Sequence, residues 1–348
     1  MIKVNLETQT DDSYNIVFGN ADQCVSFIRK NNFSRCIIIT DSNVEKLYGK
    51  QLLDKLRNSN VKADLISFKA GDGSKNLDVY KQLMEKAFSF GADRQSAVIA
   101  LGGGVVGDVA GFVAGTYMRG ISLIQLPTTL LSMADSSIGG KAAVDIKDGK
   151  NVCGLFKQPD AVFIDTGFLK TLPDEEFKNG LVEIVKYGII KDAAFFEFFE
   201  KNIENIKDEK VILNCIERSC KIKKEIVEKD EKEKSVRMIL NFGHTIGHAI
   251  EVFNRHKIKH GECVAEGMMK EAEIANKLGI LCNGDFIRIK NLIEKLKLAK
   301  PKYDSKILEI MKSDKKNVCG KIRLVLPVKI GTAVIAEDIP LKEIEKAL

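Results

Sequence analysis

AVIALGGGVVGDVAGFVAG, residues 97–115, decides how the first part of this chain folds. The apolar residues 97–101 read as a buried strand. Gly102, Gly104 and Gly107 then satisfy GxGxxG, and the Val, Ala and Phe beyond them read as a helix. In that setting, bare backbone N–H groups and a helix N-terminus can cradle a pyrophosphate. Glycine-rich turns also arise where a helix simply packs close to a strand. The strand before this loop and the helix after it favour nucleotide binding.

Further apolar runs extend the pattern on both sides. Residues 36–40, ending at Asp41, read as a strand, as do 63–68 and 121–126, with a helical stretch over 79–90. Strands alternating with helices at this spacing predict a parallel sheet covered by helices. The usual dinucleotide fold places an acid about 20 residues beyond the loop, on the ribose. Residues 125–128 are Gln-Leu-Pro-Thr, with no carboxylate, so an unusual sheet order is expected, with Asp41 as the substitute acid. An acid there favours NAD over NADP by repelling the extra phosphate.

The texture changes after Leu172-Pro173. Amphipathic stretches over 174–201, 210–231, 244–253 and 262–278 dominate, with a small late hairpin over 322–326 and 332–336. We therefore expect an α/β nucleotide-binding domain with a parallel sheet over residues 1–172. A mainly α-helical metal- and substrate-binding domain should follow over 173–348, a division suited to a chain too long for one core.

A formal net charge of +6 is mild for 348 residues, and the lysines are mostly interleaved with Glu and Asp. That excludes a nucleic-acid-binding stripe but leaves room for a basic pocket around an anion. The cysteines form no CxxC pair and several lie inside apolar runs, which predicts reduced, buried thiols. The opening residues MIKVNL lack the apolar core of a signal peptide, and no long uncharged apolar stretch occurs. No membrane partner and a cytoplasmic location are expected.

All the histidines of the chain, His244, His248, His256 and His260, fall in NFGHTIGHAIEVFNRHKIKHGE. Neutral imidazole is a common zinc ligand and also a proton carrier near neutral pH. His244 and His248 are four apart and share a helix face, so spacing alone favours them as a ligand pair. The metalloprotease HExxH pattern is absent, because Thr-Ile-Gly follows His244. A metal site here needs a carboxylate from elsewhere; otherwise these are surface or capped histidines.

Between the halves lies LPTTLLSMADSSIGGKAAVDIKDGKN, residues 126–151, with little helical or strand periodicity. A surface loop is the plain reading, yet many small residues accompany its charges. Together with GGGVVGD, NGLVEIVKYG, LNFGHTIGHA and KHGE, this stretch resembles the 3-dehydroquinate synthases, in order from about Asp41 to the end of the chain.

The resemblance implies a phosphorus–oxygen lyase using NAD+ and one divalent ion per subunit, zinc or cobalt. Its substrate would be 3-deoxy-D-arabino-heptulosonate 7-phosphate. C5 is transiently oxidised, phosphate leaves, C5 is reduced again, and ring opening with an aldol closure gives 3-dehydroquinate. The implied metal ligands are Glu183, His244 and His260, with His248 a proton-transfer group and His256 without a chemical role. Implied around the substrate are Lys141, Lys186, Lys223, Arg237, Asn241, Asp135, Asn151 and Arg119, the last reaching across a homodimer. Lys315 or Lys316 should add a cation. For NAD the implied set is Asp41, Asn43, Asp72, Lys75, Gly104, Val105, Val106, Gly107, Asp108, Thr128, Thr129, Lys141, Lys150, Phe168 and Thr171.

Two departures stand out: Asp72 occupies a place where the family usually has Glu, and Lys178 one where Arg is commoner. Sibling cyclases acting on other sugar phosphates share the loop and the metal set. A metal-dependent polyol dehydrogenase would instead release NADH, and a non-catalytic metal-binding protein would leave the glycine loop and the cations unexplained.

Overall fold

Strands that are apolar without alternation are covered on both faces, and the central strands of this protein behave so. The computed structural model describes residues 11–147, 149–255, 257–312, 322–337 and 339–348. Lys315, Lys316, His256 and Cys319 lie outside the described residues. The chain divides into two units, one running to Thr128 and taking in Ser137–Gly167, the other made of Thr129–Ser136 and Phe168–Leu348.

The first unit contains β1 (Asn15–Phe18), β2 (Cys36–Asp41), β3 (Ala63–Phe68), β4 (Ala97–Gly102), β5 (Ser122–Pro127), a hairpin of β6 (Lys141–Ile146) and β7 (Gly149–Phe156), and β8 (Ala161–Ile164). Six of these form one parallel sheet in the order β1-β8-β5-β4-β2-β3. Ile37, Ile39, Val98 and Ala100 of β2 and β4 are buried in its core with Val106, Val109 and Val113 of the helix Gly104–Thr116. From β2 the chain adds β3 on one side and β4 on the other, so the strand order reverses between β2 and β4, which places the glycine turn at the switch point where such sheets bind ligands. The four strands expected from the sequence are all present, and the sheet order is indeed not the usual one.

The β6–β7 hairpin falls where the sequence shows no strand periodicity. Its Ala142 and Leu155 lie against the glycine-loop helix, at the positions a Cβ of Gly111 or Gly115 would occupy, 2.9 and 2.7 Å away. Small residues are chosen there by close packing rather than by β-propensity.

The second unit is helical apart from a hairpin of β9 (Leu324–Lys329) and β10 (Thr332–Ala336). The expected continuous helix over 174–201 is broken, because Asp192 caps a new helix, Ala193–Asn202, by accepting from Phe195 N–H at 2.9 Å. Residues 129–136 group with this unit rather than with the sheet that precedes them. Leu130 packs where Gly180 has no side chain, and Cys220 Sγ donates to Met133 O at 3.4 Å. The second unit resumes at Phe168, a few residues before the boundary expected after residue 172.

Two helices, His244–Phe253 and His260–Lys277, pack at backbone distance. A Cβ on Gly267 would sit 2.0 Å from Gly243 O, and one on Gly247 2.8 Å from Cys263 O. Gly267→Ala should therefore destabilise the second unit by about 1–3 kcal/mol. Gly284→Ala, at a helical position with nothing within 4 Å, should be neutral or better. Urea unfolding followed by near-ultraviolet circular dichroism compares the two.

Candidate active site

The helix Asp174–Ile190 is buried along most of its second half, and Glu183 and Lys186 point from it side by side, each 1% exposed. Residues three apart share a helix face, and here they form a buried ion pair. Close helix packing brings His244 and His260, the first residues of their two helices, to the same carboxylate. Glu183 Oε1 lies 3.4 Å from His244 Nε2 and 3.7 Å from His260 Nε2. His248 completes a group of three histidines, each offering a ring nitrogen within 4.8 Å of the others'.

Ligand atoms about 2.0–2.2 Å from a tetrahedral zinc ion are about 3.3–3.6 Å from one another. The carboxylate–histidine separations come close to that spacing. Glu183 Oε1 is also buried without a hydrogen-bond partner, an orphan acceptor of the kind an ion would satisfy. The donors present thus fit a divalent cation. Spacing alone favoured His244 with His248; the fold adds His260 and Glu183 from two other helices.

A second polar cluster adjoins the first. Asp135 accepts from Tyr187 Oη at 2.8 Å and from Lys223 Nζ, which also reaches the Asp135 backbone O at 2.7 Å. Lys186 Nζ lies 3.8 Å from Asp135 Oδ2. Burial alone would raise the carboxyl pKa values, but Lys223 and Lys186 hold Asp135 below the usual range, and Lys186 and His244 hold Glu183 well below it. Lys186 is pushed up by its two carboxylates against burial, whereas burial wins at Lys223 and lowers it.

Arg237, 1% exposed, is fixed by a turn in which Asp230 accepts from the backbone N–H groups of Lys234, Ser235 and Arg237 at 2.7–3.0 Å. Asn241 donates to Glu233 at 3.0 Å. Three deeply buried cations, Lys186, Lys223 and Arg237, therefore stand in one unit with Glu183 and Asp135.

Some contributors escaped the sequence reading. Glu251, 4% exposed, faces His260 Nδ1 at 3.4 Å. It continues the 244–248 stripe by three residues, so the helix pattern already contained it. Tyr187 carries no spacing signal; only its burial beside Asp135 reveals it.

In the first unit, Asp41 Oδ1 accepts from Asn43 N–H and Val44 N–H at 2.8 and 3.1 Å, making this acid a helix cap as well as a strand end. The helix Gly104–Thr116 starts at Gly103 without a side-chain cap, leaving its first amides for an anion. Lys75 pairs with Asp108 at 2.5 Å and donates to Asn151, and Lys150 lies 3.4 Å from Asp72. Val106 is a core residue, so it can meet a cofactor only through its backbone, as Val105 and Gly107 can in the same turn. Thr128 N–H donates to Gly102 O at 2.9 Å. Lys141 and Asn43 are exposed. Arg119 is exposed and follows Met118 in left-handed backbone, φ 72° after φ 52°. In the second unit, Thr129 and Ser132 hydroxyls meet at 2.9 Å, and Thr171 Oγ1 donates to the backbone O of buried Phe168 at 3.3 Å.

The family models for the 3-dehydroquinate synthase N-terminal and C-terminal regions match residues 65–179 and 180–317. The chain belongs to the 3-dehydroquinate synthase family. It is 46% identical over 312 residues to the 3-dehydroquinate synthase of Desulforamulus reducens, covering 88% of this chain and 87% of that one.

Among solved structures, the family fold is shared with a 2-epi-5-epi-valiolone synthase from Streptomyces hygroscopicus with NAD+ and Zn2+ bound. That likeness has a TM-score of 0.91 at 27% identity, over 99% of this chain and 98% of that one. A 2-deoxy-scyllo-inosose synthase complexed with carbaglucose-6-phosphate, NAD+ and Co2+ is similar at TM-score 0.87 and 29% identity, over 96% and 95%. No helix among the described residues is long and apolar enough to cross a membrane.

Lys186→Met should cost the second unit about 3–5 kcal/mol, since it leaves the Glu183 and Asp135 carboxylates short of a buried cation. Denaturant unfolding measures this, and adding Glu183→Gln should recover much of the loss. A single variant as stable as the parent would contradict the account.

Proposed function

We propose that this protein converts 3-deoxy-D-arabino-heptulosonate 7-phosphate to 3-dehydroquinate and phosphate. The observation that carries the reading is the buried Glu183–His244–His260 group beside three buried cations, in a chain of the 3-dehydroquinate synthase family. Glu183, His244 and His260 would hold the metal. Asp41, Asn43, Asp72, Lys75, residues 104–108, Thr128, Thr129, Lys141, Lys150, Phe168 and Thr171 would hold the nucleotide. When bound, a divalent ion supplies Lewis acidity and NAD+ supplies a hydride acceptor restored within each turnover.

The protein side chains do the rest. Lys186, Lys223 and Arg237 gather the substrate's phosphate and carboxylate, for which a fixed guanidinium and two ammonium groups are suited. Asp135 and Tyr187 keep Lys223 in place, while Asn241, Asn151 and Lys141 supply further polar contacts. His248 takes up a proton from a substrate hydroxyl on a ring nitrogen and returns it. Arg119, exposed in its left-handed turn, would serve a second copy of the chain, making a homodimer, and the enzyme would act in the cytoplasm.

Sibling cyclases that use a hexose phosphate are the second reading, supported by the fold likeness to the inosose and valiolone synthases. Three buried cations suit a substrate with two anionic groups better than one with a phosphate alone.

A phosphate-release assay on the heptulosonate phosphate decides between them. We expect release that needs catalytic NAD+, stops with a chelator and accumulates no NADH. Turnover of a hexose 6-phosphate instead, or stoichiometric NADH, would overturn the reading. Glu183→Ala should lose both metal and activity. His248→Ala should keep its metal and lose about 10²–10⁴ in kcat; a His248→Ala protein emptied of metal would sink the ligand assignment.

A further inference from the structure

Glu271 lies outside every motif described above, yet it has no exposed surface. It projects from the helix His260–Lys277, and its Oε2 accepts the Gly243 N–H at 2.8 Å. Burial pushes its carboxyl well above the usual range, against the pull of the backbone N–H groups of Gly243, Val325 and Ile246. No cation is among the groups that set its protonation. A buried acid without an ion-pair partner is costly unless its hydrogen bonds serve the fold.

The partner of Glu271 is informative. The helix that begins at His244 has Gly243 as its N-cap, and glycine has no side chain to cap with. Glu271, from a neighbouring helix, instead holds the cap residue by its own N–H, as the acid of a capping box does. The peptide unit it grips is Phe242–Gly243, and the other end of that unit, Phe242 O, lies 3.1 Å from His244 Nδ1. A trans peptide is rigid, with N–H and C=O pointing opposite ways. Holding the N–H therefore fixes the direction of the carbonyl.

A carbonyl oxygen can only accept, so His244 Nδ1 must be the donor. Nδ1 therefore carries a proton, so that in the neutral ring Nε2, 3.4 Å from Glu183 Oε1, is the nitrogen with the lone pair. The loop cannot easily yield, since a Cβ on Gly243 would meet Met268 Cγ at 2.3 Å and Val264 O at 2.7 Å.

We infer that Glu271 is a positioning residue for His244, acting through the Phe242–Gly243 peptide to fix the ring's tautomer and aim Nε2. It does by relay what a carboxylate touching a ligand histidine does directly. The inference rests on His244 being a metal ligand, as proposed above.

The test uses the full chain in metal-free form. Nitrogen-15 NMR of the histidines at mildly alkaline pH reads the tautomer, and Co2+ titration followed by d–d absorption reads affinity. His244 should carry its proton on Nδ1. Glu271→Gln, whose amide oxygen can still accept from Gly243, should keep that tautomer and the Co2+ affinity. Glu271→Leu should mix the tautomers and weaken Co2+ binding about tenfold or more.

A proton on Nε2 in the unaltered protein would overturn the inference, even if Glu271→Leu fails to fold. So would a Glu271→Leu protein that binds Co2+ as tightly as the parent, or a Glu271→Gln protein that loses as much as Glu271→Leu. Failure of the ligand reading has a separate signature, because His244→Ala would then leave Co2+ binding intact.

Discussion

A carboxylate taken almost wholly out of water must be met by positive charge or by hydrogen-bond donors, and Glu183 imposes that demand on the second unit. Lys186 answers it at one oxygen from the next turn of the same helix. The other oxygen, without a hydrogen-bond partner, is left facing two imidazoles from two other helices, where a cation would satisfy it. Bringing those helices in requires their backbones to approach until only hydrogen fits at Gly247 and Gly267. The positive charge brought in is in turn shared with Asp135, which draws Lys223 and Tyr187 into the same network. Charge placement and helix packing are therefore one constraint seen from two sides.

The sheet was legible because its central strands are runs of residues that only a doubly covered strand can bury. Strands β2 to β5 stand out in that way, whereas β1 and β8 are only four residues each and are too short to rise above their surroundings. The β6–β7 hairpin was hidden for another reason. Its alanines and glycines answer to the surface of a helix, and a residue string does not show which surface it will meet. The break at Asp192 was missed because amphipathic spacing carries across a cap.

For the candidate site, spacing along one helix found His244 and His248 but could not see that another helix starts at His260 beside them. The family resemblance supplied Glu183, and the geometry gives it an orphaned oxygen at ligand-like separations. Glu251 and Glu271 belong to a different class. Each touches a histidine or its peptide, Glu251 from within the histidine stretch and Glu271 from outside any motif, and their part as supporting acids shows only when burial and direction are known. In the nucleotide-loop unit, Asp41 holds the chain as a helix cap with one oxygen, so its structural duty and its proposed cofactor duty need not compete.

The route of the chain between the two units has a consequence for dissecting the protein. Because residues 129–136 leave the sheet unit to join the helical one and residue 137 returns, no single cut separates the two cores. A C-terminal fragment beginning at Phe168 would lack Asp135, leaving Lys223 buried without the carboxylate it is bonded to. An N-terminal fragment would carry an eight-residue insert deprived of its packing partners. The halves are thus mutually dependent as pieces of polypeptide, and gene-level separation would need a permuted or co-expressed arrangement that returns the Asp135 segment to the helical side.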